Sequence, residues 1–151
     1  MVDVIEVLTQ EREAIIAAAS SALERSHVPH YADAGAASGR ERLELLLSLV
    51  LDSVTSRDLV PVVDHSVRIA EERFQAGYDI REVQTAFNVL EEAIWTHVVA
   101  SVPADHLAEA LGLVGTVLGA GRDALASTYV SLATQRHVAS LDLSALFRGG
   151  R

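Results

Sequence analysis

The sequence contains no cysteine and no lysine. Without thiols there is no disulfide, no thiolate metal site and no sulfur nucleophile. Without lysine the phosphate-loop signature, which ends in Gly-Lys-Ser/Thr, is excluded. All twelve basic residues are therefore Arg, which reads as a coding bias rather than as chemistry. Aromatic residues are scarce at 5%, so the core has to be built from Leu, Val, Ile and Ala, side chains that suit close contact between helices. Positive charge is also short. A formal net charge of −9 argues against nucleic acid, whose phosphates need clustered cations, and against an anionic membrane surface. No apolar run approaches the ~20 residues of a membrane span. The opening MVDVIEVLTQERE is acidic and lacks the basic and apolar regions of a signal peptide, so a cytoplasmic protein is expected.

What remains is 151 residues, half of them hydrophobic, enough for one helical domain over 1–140 followed by a short tail over 141–151. The first helix is predicted from Asp3 to Ser26, with Ile5, Leu8, Ile15, Ala19, Ala22 and Leu23 at helical spacing. His27-Val28-Pro29 stops it, because a residue before proline is pushed out of the α region. The stretch 30–38 reads as a loop with Tyr31 as its anchor. Ser38-Gly39-Arg40-Glu41 fits a capping box for the second helix. The run LELLLSLVLDSV that follows is apolar on nearly every side, which predicts burial on most sides or contact with a second subunit.

The third helix is predicted from Asp58 to Gln75, with Pro61 in its first turn. Gly77 supplies a left-handed stop. Asp79-Ile80-Arg81-Glu82 then offers another capping box, so the third and fourth helices form a tight hairpin. The fourth carries Ile80, Val83, Phe87, Leu90, Ile94 and Val98 on one stripe. The last runs from about Ala104 to Ser140. In it Leu107, Leu111, Val114, Leu118, Gly121, Leu125, Thr128 and Leu132 repeat every seven residues, the seam of a coiled coil or bundle. Leu111, Val114, Leu118, Gly121 and Leu125 are the expected dimer interface. Gly112, Gly115, Gly119 and Gly121 each cost about 1 kcal/mol of helix propensity, which close approach of another helix would explain.

Chemistry is hard to find in this pattern. No histidines show the i, i+4 spacing of a helical zinc site, and no metal site is expected. His97 lies beside the apolar stripe of the fourth helix. His97 and His65 are the candidates for a haem or small-molecule pocket among Phe87, Trp95 and Tyr129. A partly buried, hydrogen-bonded imidazole is the preferred reading, and no cofactor is expected. Glu71, Glu72 and Glu92 read as solvated. Glu91 and Arg73 both point towards the core from adjacent helices, which predicts an Arg73–Glu91 ion pair across the hairpin. No serine sits in a Gly-x-Ser-x-Gly elbow or a Ser-x-x-Lys motif. No catalytic residue is expected, and the protein reads as no enzyme.

Arg73, Gly77, Tyr78, Ile80, Val83, Phe87 and Leu90, with the upstream RERLELLLSLVLDSV, resemble the N-terminal regulatory domain of the RsbRD family, the stressosome co-antagonists of the RsbT kinase. The resemblance spans roughly Leu8 to Leu132. It implies an all-α, five- to six-helix globin-like bundle with a long C-terminal helix that dimerises. It also implies a sensor or interaction role in bacterial stress signalling, with a STAS-domain or kinase partner. In such proteins the last helix leads into an effector, whereas this chain stops at Arg151, as a stand-alone input domain or an excised fragment would.

Overall fold

A computed structural model describes residues 3–26 and 36–140, with side chains described over 3–26 and 39–136. Among the described residues every regular element is an α-helix: α1 (Val4–Gln10), α2 (Arg12–Arg25), α3 (Ala36–Ser56), α4 (Val60–Ala76), α5 (Arg81–Ser101) and α6 (Ala104–Ser140). The expected all-α bundle with a long C-terminal helix is what is found. None of these helices is long and apolar enough to cross a membrane. The expected loop around Tyr31 and the tail over 141–151 lie outside the described residues, apart from the end of that loop, which is helical.

The predicted first helix is divided at Glu11, whose φ of −101° and ψ of 16° depart from helical values. The hydrogen-bond ladder continues through it, from Glu11 N–H to the Val7 carbonyl and from Ile15 N–H to the Glu11 carbonyl, both at 2.9 Å. No Pro or Gly causes the break. Glu11 is instead held by its side chain, which reaches α5. At the other end of α1, Asp3 is an N-cap, accepting the Glu6 N–H at 2.9 Å.

The capping residue expected for the second helix, Ser38, does not start α3. The helix is already formed at Ala36, because Ala36 and Ala37 are strong helix formers that carry it upstream. The apolar run of α3 is also less enclosed than expected. Leu43, Leu46, Leu47, Val50 and Val54 are buried, while Leu45 is 51% exposed. Arg12 fastens α2 to α3 by donating to the Glu44 carbonyl at 3.0 Å and to Ser48 Oγ at 2.8 Å.

α4 lies along α6, and α2 along α5, while α5 also packs on α6. The core between them is aliphatic, with Phe87 as its largest fully buried side chain. Burying each such Leu, Ile or Phe contributes about 1.5–3 kcal/mol. The heptad seam of α6 belongs to this core. Val114, Leu118 and Leu125 are fully buried within the single chain, Gly121 is buried too, and only Leu111 of the expected dimer contacts stays half-buried. The interface expected on these residues is therefore corrected: their partners are the chain's own helices.

Gly121 alone among the glycines of α6 has the close approach expected of all four. A Cβ there would stand 2.7 Å from Phe87 Cε1, whereas Gly112, Gly115 and Gly119 have nothing within 4 Å of that position. The seven-residue pattern thus set the buried face of α6, and one glycine on that face lets the Phe87 ring fit against the helix.

Candidate functional site

The turn between α4 and α5 carries a dense polar network. Gly77 adopts φ 81°, and its N–H reaches the Phe74 carbonyl at 3.1 Å while the Tyr78 N–H reaches the Arg73 carbonyl at 2.9 Å. These two bonds form a Schellman stop, which requires the left-handed residue that Gly supplies without strain. Asp79 Oδ1 then accepts the Arg81 N–H at 3.0 Å, one residue ahead of the N-cap, Ile80. The local chemistry is an Asx turn rather than the capping box expected there. That Arg81 N–H holds the Asp79 carboxyl below its ordinary value. Sharing with Glu82 and the charges of Arg81 and Arg73 act the same way, and partial desolvation opposes them.

Arg73 is 5% exposed and closes this turn. Its Nε donates to the Asp79 carbonyl at 3.1 Å, and its Nη2 donates to Glu82 Oε2 at 2.6 Å. The guanidinium also lies over the Tyr78 ring, 5.0 Å from the centroid. The expected Arg73–Glu91 pair does not form. Glu91 Oε2 instead accepts from Arg122 Nη1 on α6 at 2.9 Å. Arg73 does face inward, whereas Glu91 is partly exposed beside Arg122, and each finds a partner nearer its own level along the bundle.

The same turn is tied to the distal part of α6. Tyr129 Oη donates to the Tyr78 carbonyl at 2.9 Å, and its ring meets Phe74 edge-to-face with centroids 5.7 Å apart. About two turns further on, the Arg136 guanidinium stands 5.8 Å from the Phe74 ring centroid. Beyond Leu125, no residue of α6 through Arg136 is fully buried, and these aromatic contacts are among those that hold this stretch to the bundle. The sequence pattern missed Phe74, and it offered Tyr129 only as a pocket aromatic and Glu82 only as part of a capping box. Tyr129 falls one residue past the seam position Thr128, which was the available signal.

A second feature lies on the outer face of α5. Asn88, Glu92, Trp95, Thr96 and Val99, with the Glu91–Arg122 pair, line an open groove of about 760 Å³. Trp95 is 44% exposed and Val99 54%, one helical turn apart.

The histidines serve different ends. His97 Nδ1 is 3.0 Å from Glu11 Oε1, and Ser101 Oγ donates to Glu11 Oε2 at 2.9 Å. Those two contacts are the tie that marks the break between α1 and α2. The His97 hydrogen bond, then that of Ser101, lowers the Glu11 carboxyl below its ordinary value, with partial burial opposing. His65 is buried on α4, and that burial first, then the charges of Arg42 and Arg68, push its imidazole down, with Glu72 opposing. Neither imidazole lines the Trp95 groove. Phe87 is in the core, Trp95 on the outer face and Tyr129 at the hairpin, so the three aromatics share no pocket. Among the described residues no group of three or more metal-binding side chains comes together.

Known proteins were compared with this arrangement. No curated protein and no solved structure matches the chain. The sequence model described as "RsbT co-antagonist protein rsbRD N-terminal domain" matches residues 6–144, from the middle of α1 to past the end of α6. That span contains the hairpin, its Arg73 closure and the whole of the α6 seam, and the chain belongs to the RsbRD N-terminal domain family.

Proposed function

We propose that the chain is a non-enzymatic signalling and interaction module of a bacterial stress-response regulator, and that it works in the cytoplasm as a homodimer. The family is a regulatory N-terminal domain named for co-antagonists of RsbT, which supports regulation rather than a reaction. The observation that carries the dimer is the exposed Trp95–Val99 step on α5. A large aromatic beside an aliphatic residue, both half in water, is apolar surface that association removes. Two copies meeting on this face through a two-fold axis would bring each Trp95 into the other's groove. The Glu91–Arg122 pair at the edge supplies a polar rim of both signs.

A STAS-domain or kinase partner fits the distal part of α6, which the Tyr78–Tyr129 and Phe74–Tyr129 contacts couple to the hairpin. A tagged copy of the chain in its native host tests this. Recovery of a STAS-domain protein or its kinase, weakened by Tyr129→Ala, is the expected result. Recovery of neither would contradict the partner assignment.

A further inference from the structure

A cleft lies at the end of the bundle opposite the Gly77 hairpin, and it shares no lining residue with the Trp95 groove. It has two lobes, of about 410 Å³ and about 370 Å³, which share Val54, Arg57, Glu109 and Leu113 as walls. Asp3 and His106 line the smaller lobe, whereas Val117, Leu59 and Gly112 line the larger one. Small-molecule sites are typically about 300–1,000 Å³, mostly apolar with a few placed polar groups, so the larger lobe alone suffices.

The polar groups here are unusual in how they are held. Arg57 has φ 59°, and it is the only non-glycine residue with positive φ among the described residues. It follows the last residue of α3, where glycine would stop the helix without strain, as Gly77 does for α4 at φ 81°. A long cationic side chain kept at such a position, at the mouth of a cleft, points to a use for its guanidinium. Arg57 Nη2 faces Glu109 Oε1 at 3.8 Å, beyond hydrogen-bond length, with the two side chains 62% and 66% exposed. The charges attract, yet this contact uses none of the guanidinium's donors and none of the carboxylate's lone pairs. An anion would be drawn to Arg57 and repelled by Glu109, and a cation the reverse. A molecule carrying both charges suits both. Below them, Ser53 Oγ is fully buried with no hydrogen-bond partner, on the wall of the larger lobe. Above Gly112 a Cβ would meet nothing within 4 Å, so the space there is open.

We propose that this cleft binds a small zwitterion with an apolar side chain, the chemistry of an aliphatic or aromatic amino acid. Its carboxylate pairs with Arg57, its ammonium with Glu109, and its side chain enters the larger lobe against Leu113 and Val117. The site stands apart from the dimer reading and does not depend on it.

Calorimetric titration of the full chain with leucine and with phenylalanine tests the proposal, using N-acetylleucine and leucinamide as probes that each lack one charge. Saturable binding of at least one amino acid is expected, weakened about tenfold or more in each single-charge probe and in Arg57→Gln and Glu109→Gln. Gly112→Leu should abolish it by filling the lobe. Thermal melting of each variant checks that the fold persists, and the two probes give the same answer on the unaltered chain. No saturable binding by either amino acid, or binding that ignores the loss of either charge, would overturn the proposal.

Discussion

Arg73 and Glu82 meet across the α4–α5 turn at 2.6 Å, with side chains only 7% and 13% exposed. A pair this dry is costly to break from one side, because the remaining charge has no water to return to. Arg73→Ala should destabilise the protein by about 3–5 kcal/mol. Glu91→Gln, at the wetter pair with Arg122, should cost about 1 kcal/mol or less. Urea denaturation of the two variants side by side checks the ordering.

Gly121 and Gly119 sit two residues apart in α6 and should respond to alanine with opposite signs. At Gly121 the new methyl would press on the buried Phe87 ring, 2.7 Å away. Overpacking of this kind costs about 1–3 kcal/mol, which outweighs a propensity gain of about 1 kcal/mol. Gly119→Ala meets nothing within 4 Å and should stabilise by that propensity term alone. The melting temperatures of the two variants, one below and one above the parent, are the readout.

His65 makes stability depend on pH. Its imidazole is held below the ordinary value of 6.5, so the unfolded chain takes up the proton first as pH falls. The stabilisation is complete above pH 6.5 and is lost progressively down to the folded-state value. Urea midpoints measured from pH 7.5 to pH 5 should fall for the parent and fall less for His65→Gln. Glu11 and Asp79 act lower on the scale. Their depressed carboxyls stabilise the fold above the ordinary values of 4.5 and 3.8, and that contribution disappears in stronger acid.

These effects separate what the sequence made legible from what it did not. The hairpin could be read because its stop and start are local chemistry: Gly77 and Asp79 act on backbone groups within a few residues of themselves. The partner of Arg73 could not be read from the helical wheel, which gives direction around a helix but not level along a hairpin. Arg73 lies four residues before Gly77, so its match on α5 has to lie near Glu82. Glu91 is a further nine residues away, about 14 Å along the axis. Periodicity likewise found the buried face of α6 but not which chain covers it, since an apolar stripe looks the same against α4 as against a second copy. The break at Glu11 left no local signal, since the contacts that accompany it, to His97 and Ser101, come from a distant helix.

Tyr129 ties the distal part of α6 to the hairpin. Tyr129→Phe removes the bond to the Tyr78 carbonyl and keeps the ring against Phe74. Faster amide hydrogen exchange is expected after Leu125 in α6, with little change in the exchange of α2 and α5. Uniform acceleration throughout the chain would instead mean that the contact serves global stability.

The central claim is that the Trp95 face joins two copies. The molecular mass in solution tests it most directly, by light scattering on eluting protein at micromolar concentration. The account predicts a mass twice the 16.2 kDa of the chain, falling to 16.2 kDa in Trp95→Glu with the helical content retained. A parent protein that remains at 16.2 kDa as concentration rises, or a Trp95→Glu protein that remains a dimer, would contradict it.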